Sequence, residues 1–218
     1  MTARIVCLLI GYVFGLFQTS YILGKMKGID IRDSGSGNAG TTNALRILGK
    51  KAGAITFACD ILKCILAVLL TWAIFHNSHA DIVPLLKIWT SAGVVLGHVF
   101  PFYMNFKGGK GIAPMGGMII AFGDYRLIII GLIVFFGLVF LTHYVSVASL
   151  TLITLFFVEM SIGNILGWYG MEPRNRVELL LIVLGLTALG IYEHRGNLLR
   201  LLEGNERKTY LTGKKSDI

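Results

Sequence analysis

Two segments of the chain combine glycines with polar or basic side chains in a way that suits a phosphate group. The first runs from Ser34 to Asn43 and reads SGSGNAGTTN, and the second runs from Lys107 to Gly111 and reads KGGKG. Glycines let consecutive backbone N–H groups point at one anion, and nearby lysines add positive charge. Two such segments in one chain predict a protein that handles two phosphorylated molecules.

Side chains in and after the first segment add further hydrogen-bond donors. Ser36, Asn38, Thr41 and Asn43 carry hydroxyl or amide groups, and Arg46 follows within about one helical turn. A guanidinium can hold a phosphate through two parallel hydrogen bonds. Gly and Ser also make flexible linkers, which is the alternative interpretation of the segment. The amides, the threonines and the arginine favour a binding loop.

The second segment leads directly into an apolar stretch, so its glycines are expected at a helix N-terminus, which is a ready anion site. Pro114 suits the first turn of that helix. The spacing is not that of a Walker A loop. The alternative is that Lys107 and Lys110 only anchor the chain at a membrane interface.

Polar residues also follow the last apolar stretch. His194 and Asn197 are three residues apart and share a helix face if the helix continues, with Arg200 three residues further on. This polar face could meet the two glycine segments, although a cluster of interfacial side chains at a helix end is the alternative. Ser146, in the turn before another apolar stretch, is a further candidate.

Composition places these motifs beside a lipid phase. The 218 residues are 55% hydrophobic and 15% charged, against about 25% charged in soluble proteins, and mean hydropathy is +0.71. The sequence predicts an all-α, polytopic membrane helical bundle in a single integral-membrane domain over residues 1–218. Seven apolar segments are expected to form its helices, at about 5–24, 52–75, 85–100, 112–122, 127–142, 145–163 and 178–192.

The fourth and fifth of these segments are short for a crossing of the membrane, which takes roughly 17–25 residues. We expect two separate helices there, because Gly123 and the charged Asp124 and Arg126 interrupt the stretch. Inside the second segment, Asp60 and Lys63 are three residues apart. Charges within a membrane are costly and face the bundle interior, so these two are expected to form a structural pair.

The distribution of Lys and Arg predicts sidedness. With seven crossings, fourteen of these residues fall on the side that carries both glycine segments, and five fall on the other side or its helix ends. By the positive-inside rule the motif side is cytoplasmic and the N-terminus is outside. Nucleic acid is excluded as a partner, because no basic face interleaved with aromatic residues lies outside the apolar segments.

The segments GSGNAGTTN, GHVFP with FKGGKG, and EHRGNLLRL, in this order, resemble the bacterial acyl-phosphate:glycerol-3-phosphate acyltransferase family (PlsY-type). The resemblance covers nearly the whole chain. It implies a seven-helix inner-membrane enzyme that moves a fatty acyl group from acyl phosphate to the 1-hydroxyl of glycerol 3-phosphate. The products are lysophosphatidic acid and inorganic phosphate, the first step of phospholipid synthesis.

The resemblance also implies which residues form the site. His194, Asn197, Lys107 and Ser146 are the expected catalytic residues. The expected substrate- and phosphate-binding residues are Ser36, Gly37, Asn38, Gly40, Thr41, Asn43, Arg46, Gly108, Gly109, Lys110 and Gly111. Two positions depart from the family pattern, with Thr41 in place of the usual Ala and Pro114 in place of a frequent Thr.

Acyl phosphate is a mixed anhydride with a good leaving group, so positioning and oxyanion stabilisation matter more than a covalent nucleophile. The attacking hydroxyl can lose its proton to His194 or to the phosphate of the donor, and both routes stay open. No cofactor or metal is expected. Membrane lipids and a peripheral enzyme that supplies acyl phosphate are the other expected partners. A transporter of phosphate or of a polyol phosphate is the alternative function.

Overall fold

The computed structural model describes residues 1–210. This range is helical, without a β-strand, and contains ten α-helices. They are α1 (Thr2–Gly15), α2 (Thr19–Met26), α3 (Thr41–Leu48), α4 (Lys50–Phe75), α5 (Val83–Val99), α6 (Ile112–Phe122), α7 (Tyr125–Thr142), α8 (Val145–Ile165), α9 (Pro173–Glu193) and α10 (Arg195–Leu202). The predicted all-α membrane bundle is confirmed.

Six segments of the described chain are long and apolar enough to cross a membrane: α1 and α2 together, α4, the segment around α5, α7, α8 and α9. Helix α6, with 11 residues, is shorter than a crossing. The seven predicted apolar segments therefore all form helices, and the prediction of a short fourth helix separate from the fifth is confirmed. Gly123 ends α6 at a φ of 89°, and the Asp124 carboxylate caps α7 by accepting the N–H of Arg126 at 3.0 Å.

The first predicted segment is wrong in one respect, because it forms two helices instead of one. The helix is interrupted between Gly15 and Thr19, and this leaves backbone carbonyls within the span without their helical partners. Buried donors satisfy the region: the Lys63 ammonium donates to the carbonyl of Phe17 at 2.8 Å, and the Gln18 amide donates to the carbonyl of His98 at 3.0 Å. A break at this depth is tolerated because the freed groups are paired within the protein.

Helices α1 and α5 pack with their backbones in close contact. Both carry glycines four residues apart on the shared face, namely Gly11 and Gly15 on α1 and Gly93 and Gly97 on α5. A methyl group on Gly93 would overlap the carbonyl oxygen of Leu8, and one on Gly11 would overlap that of Thr90. Small residues at this spacing let two membrane helices approach until their backbones touch. The contact fixes α5, whose end carries His98 towards the cavity described below.

We expect Gly93→Ala to destabilise the protein by about 1–3 kcal/mol, because the added methyl group has no space between the two backbones. The measurement is the midpoint of thermal unfolding in detergent. Gly137→Ala in α7 is the matched control, because a methyl group there meets no atom within 4 Å. Equal midpoints for the two variants would contradict this interpretation of the contact.

Candidate active site

One cavity of about 290 Å³ lies at the end of the bundle where the first glycine segment, the start of α6, the start of α8 and the end of α9 meet. Most of the residues predicted from the sequence line it. They are Ser36, Asn38, Gly40, Thr41, Asn43, Arg46, Lys110, Gly111, Ser146, His194 and Asn197. The structure therefore brings the three sequence motifs and the turn at Ser146 around a single space.

Gly37, Lys107, Gly108 and Gly109 do not line this cavity. The Lys107 side chain is exposed. The backbone N–H of Gly108 donates to the carbonyl oxygen of Val99 at 3.0 Å, and that of Gly109 donates to the carbonyl oxygen of His98 at 3.1 Å. These two amides already have backbone partners and are not free to bind an anion in this structure, so the binding role of Gly108 and Gly109 stays a prediction.

The two glycines have a different physical reason. A methyl group on Gly108 would overlap the carbonyl oxygen of His98, and one on Gly109 would overlap the imidazole Nε2 of the same residue. Glycine is required because the loop passes directly over the end of α5. The loop is thereby fixed so that its last residues, Lys110 and Gly111, reach the cavity.

Asn43 organises the first glycine segment from its buried side chain. Its Oδ1 accepts the N–H of Ser36 at 2.9 Å, and its Nδ2 donates to the carbonyls of Ile31 at 2.9 Å and Ser34 at 3.0 Å. The contacts with Ser34 and Ser36 are internal to the segment, and the contact with Ile31 ties the segment to the turn before it. Asn43 therefore holds the loop in shape, and direct binding of phosphate falls to other residues.

The start of α3 is the part of this segment that is open to an anion. Gly40 stands before the helix and offers no side-chain cap. The hydroxyl of Thr41 is buried, has no hydrogen-bond partner among the described residues, and belongs to a side chain that lines the cavity. Unpaired N–H groups and the helix dipole at such an end attract negative charge.

The carboxylate of Glu206 accepts hydrogen bonds from three polar side chains of the cavity. The sequence analysis did not identify this residue. Its Oε1 accepts from Ser146 at 2.9 Å and from Asn197 at 2.6 Å, and its Oε2 accepts from Arg200 at 2.8 Å. Burial alone would raise the pKa of this carboxyl, but these three donors outweigh it and hold the pKa below its ordinary value. Glu206 is therefore an anion that fixes the side chains on α8 and α10.

Lys110 connects this network to the second motif, since its ammonium donates to the Oδ1 of Asn197. Burial, together with the charge of Arg200, lowers the pKa of Lys110 to about 8. The attraction between a buried ammonium and a phosphate is stronger than that of an exposed ammonium, because less water screens the two charges. Lys110 is the lysine of the KGGKG segment that is placed for this contact.

The imidazole of His194 has a defined tautomer. A carbonyl oxygen only accepts, so Nδ1 carries the proton that it donates to Gly190 at 2.7 Å, which leaves the lone pair of a neutral ring on Nε2. Burial, and next the charge of Lys110, lowers the pKa of His194 to about 4. The ring is therefore neutral near pH 7 and can accept a hydrogen bond or a proton.

Residues after α10 return across the mouth of the cavity. Arg46 donates to the hydroxyl of Thr209 at 2.9 Å and to the carbonyl of Arg207 at 3.3 Å. The backbone N–H of Thr209 donates to the carbonyl oxygen of His143 at 2.8 Å. The side chains of Arg46, Lys110, Arg200 and Arg207 all line the cavity, with Glu206 as the nearby acid. The mouth is thus rich in positive charge, as two phosphate groups require.

Two buried residues of the membrane-spanning helices also line the cavity, namely Asp60 on α4 and His98 on α5. The predicted pairing of Asp60 with Lys63 is confirmed, with Oδ1 and Nζ 2.7 Å apart. Lys63 also donates to the Nδ1 of His98 at 2.8 Å. His98 lies in the GHVFP motif, but nothing in the sequence alone placed its ring beside α4.

An apolar groove opens from the same space. Phe57, Ile112, Ala113 and Phe135 line both the cavity and the groove. The groove continues between α4, α6 and α7, with further walls supplied by Ile61, Gly116, Ile119, Ile120, Ile128, Gly131, Leu132, Phe136 and Leu152. A polar cavity and an apolar groove that adjoin at shared walls suit a ligand that has a charged head and a hydrocarbon chain.

Comparisons with known proteins agree with this geometry. A family model described as glycerol-3-phosphate acyltransferase matches residues 5–204. A relative of that name from Bacillus velezensis is 40% identical over 207 residues, which cover 92% of this chain and 95% of the relative. One from Bacillus subtilis is 41% identical over 209 residues, with the same coverage of 92% and 95%.

Two solved structures of PlsY (YgiH), described as an integral membrane glycerol 3-phosphate acyltransferase, have the same fold. The glycerol 3-phosphate form superposes with a TM-score of 0.80 at 31% identity, and covers 95% of this chain and 96% of that one. The lysophosphatidic acid form gives a TM-score of 0.77 at 31% identity, and covers 95% of both chains.

Proposed function

Because the chain belongs to the glycerol-3-phosphate acyltransferase family, we propose that it transfers a fatty acyl group from acyl phosphate to the 1-hydroxyl of glycerol 3-phosphate. Membership of the family sets aside the alternative of a phosphate transporter. The observation that carries the proposal is that the cavity, whose mouth is cationic, shares four lining residues with the apolar groove between helices. Both phosphate groups belong at the mouth, and the acyl chain belongs in the groove.

The reaction needs no covalent enzyme intermediate. The oxygen of the primary hydroxyl attacks the acyl carbonyl carbon, and the bond from that carbon to the phosphate oxygen breaks. Inorganic phosphate leaves with the electron pair of that bond, and lysophosphatidic acid remains. The hydroxyl proton goes to His194 Nε2 or to a phosphate oxygen of the donor, and the low pKa of His194, about 4, favours the phosphate.

The chain contributes by placing fixed charges around the reacting atoms. Lys110 and Arg46 neutralise phosphate, and the free amides at the start of α3, beside Thr41, bind a second anion. Glu206 holds Asn197 and Ser146 in place before substrate arrives. Such preorganisation lets the site stabilise charge that develops in the transition state without a rearrangement. We assign Lys107 to the rim, because its side chain is exposed and does not line the cavity.

We further propose that the protein lies in the bacterial inner membrane, with the cavity facing the cytoplasm and the N-terminus outside. The excess of Lys and Arg around the glycine segments supports this orientation, although Lys214 and Lys215 of that count lie outside the described residues. A peripheral enzyme that releases acyl phosphate at the membrane surface fits a site that opens on this side.

The donor is tested with purified protein in detergent or lipid. Acyl phosphate and glycerol 3-phosphate should give lysophosphatidic acid and inorganic phosphate in equal amounts. Acyl-CoA should give no product, because no part of the reaction above uses a thioester. Product from acyl-CoA at the rate seen with acyl phosphate would contradict the assignment of the donor.

The pH dependence tests the role of His194. If its neutral ring is needed, activity falls only as the pH drops through about 4, because protonation removes the lone pair on Nε2. A loss of activity near pH 6 reports the second ionisation of phosphate and should persist in His194→Gln. A loss near pH 6.5 that disappears in His194→Gln would identify the histidine as a base with an ordinary pKa.

Sidedness is tested by labelling introduced cysteines in intact cells with a thiol reagent that does not cross the membrane. Cysteines at Gly37 and Lys107 should react only after the membrane is opened. A cysteine at Ser78, in the loop between α4 and α5, should react in intact cells. The reverse pattern would overturn the proposed orientation.

A further inference from the structure

The inner end of the cavity holds a carboxylate that has acceptor capacity to spare. Asp60 is 1% exposed and lines the cavity, and its Oδ2 has no hydrogen-bond partner among the described residues. A buried charged group that lacks hydrogen bonds is costly, and in a membrane helix it is rare. Its presence at the wall of a substrate cavity calls for an explanation through the ligand.

Lys63 balances the charge of Asp60 but does not satisfy the carboxylate. The ammonium lies 2.7 Å from Oδ1. It also donates to the carbonyl of Phe17 at 2.8 Å and to the Nδ1 of His98 at 2.8 Å. An ammonium has three protons, so at most one remains for Asp60. Oδ2 is left as an acceptor held rigidly in place.

The distribution of charge decides which part of a substrate approaches Asp60. Arg46, Lys110 and Arg207 line the same cavity and attract phosphate, whereas the carboxylate of Asp60 repels it. The apolar groove begins at Phe57, one turn before Asp60 on α4, and takes the hydrocarbon chain. The two hydroxyls are the remaining polar groups of glycerol 3-phosphate, and both can donate a hydrogen bond.

We propose that the carboxylate of Asp60 accepts a hydrogen bond from the secondary hydroxyl of glycerol 3-phosphate and thereby directs the primary hydroxyl at the acyl carbonyl. This inference rests on the proposed function and adds a substrate-binding residue to it. The proposal needs only this hydrogen bond and no proton transfer to Asp60, with the Lys63 ammonium, 2.7 Å from Oδ1, as the counter-charge. The secondary hydroxyl is held, and the primary hydroxyl reacts.

The Asp60 contact also gives the site its regiochemistry. With the phosphate held at the mouth and the secondary hydroxyl held at Asp60, one hydroxyl of the acceptor remains free to attack. A site built to bind a substrate hydroxyl discriminates strongly against an analogue that lacks it, because its own polar group is then left unpaired. The discrimination can therefore be measured as a property of the wild-type enzyme.

The test compares glycerol 3-phosphate with 3-hydroxypropyl phosphate, which keeps the phosphate and the primary hydroxyl but lacks the secondary one. Wild-type enzyme should lose about 10- to 100-fold in kcat/KM on this change, the range for a hydrogen bond to a charged group. Asp60→Asn should be slower with glycerol 3-phosphate and should discriminate less than about 3-fold between the two acceptors, because the charged hydrogen bond is absent.

Two variants guard the test. Glu159→Gln removes a carboxylate of α8 whose Oε1 also lacks a partner but which does not line the cavity, and it should discriminate like wild type. Asp60→Asn combined with Lys63→Gln removes both charges together, so no unpaired ammonium is left buried if the single variant fails to fold, and the Gln amide keeps a hydrogen-bond donor at this position. The double variant should show the same loss of discrimination as Asp60→Asn.

Three outcomes separate the possibilities. Equal kcat/KM for the two acceptors in wild-type enzyme would overturn the proposal without any variant. Asp60→Asn that slows both acceptors by the same factor would make Asp60 a structural residue only. Absence of transfer from acyl phosphate in wild-type enzyme would instead contradict the proposed function, which is a separate failure.

Discussion

The arrangement of this bundle depends on the contacts that the ammonium of Lys63 makes. It lies within the membrane-spanning part of α4, and it reaches the carbonyl of Phe17 in the break of the first span, the ring of His98 at the end of α5, and Asp60 on its own helix. One side chain thus joins three crossings. Without this donor the break between α1 and α2 would leave a carbonyl unpaired in hydrocarbon, at a cost of several kcal/mol.

The position of the second glycine segment follows from the same contacts of Lys63. Because the end of α5 is fixed by Lys63 and by the glycine contact with α1, the carbonyl and ring of His98 offer a rigid surface. The second glycine segment lies directly on this surface through the amides of Gly108 and Gly109. Lys110 then enters the cavity from a loop that has little freedom left, and a fixed charge stabilises a transition state better than a mobile one.

The sequence predicted the helices well and the roles of individual glycines less well. Seven apolar segments, the division at Gly123 and the pairing of Asp60 with Lys63 follow from hydropathy and from the cost of charge in lipid. Gly108 and Gly109 look the same in a sequence whether they bind an anion or allow a close approach, and only the position of His98 distinguishes the two. Glu206 lies beyond the last motif, so nothing local indicates that it holds Ser146 and Asn197.

The proposed reaction requires one site to bind a soluble acceptor and a lipid-like donor, and the structure suggests how. The acceptor comes from water and the hydrocarbon chain of the donor lies in lipid. The short helix α6 lies where the polar cavity meets the apolar groove. Its N-cap residue Gly111 and its first residue Ile112 line the polar cavity, while Ile112 and the turns that follow line the apolar groove. A full-length crossing would place its N-terminus at the membrane surface, whereas an 11-residue helix allows the dipole end to lie deeper. The phosphate groups can then meet the acyl carbonyl at the depth where the hydrocarbon chain begins.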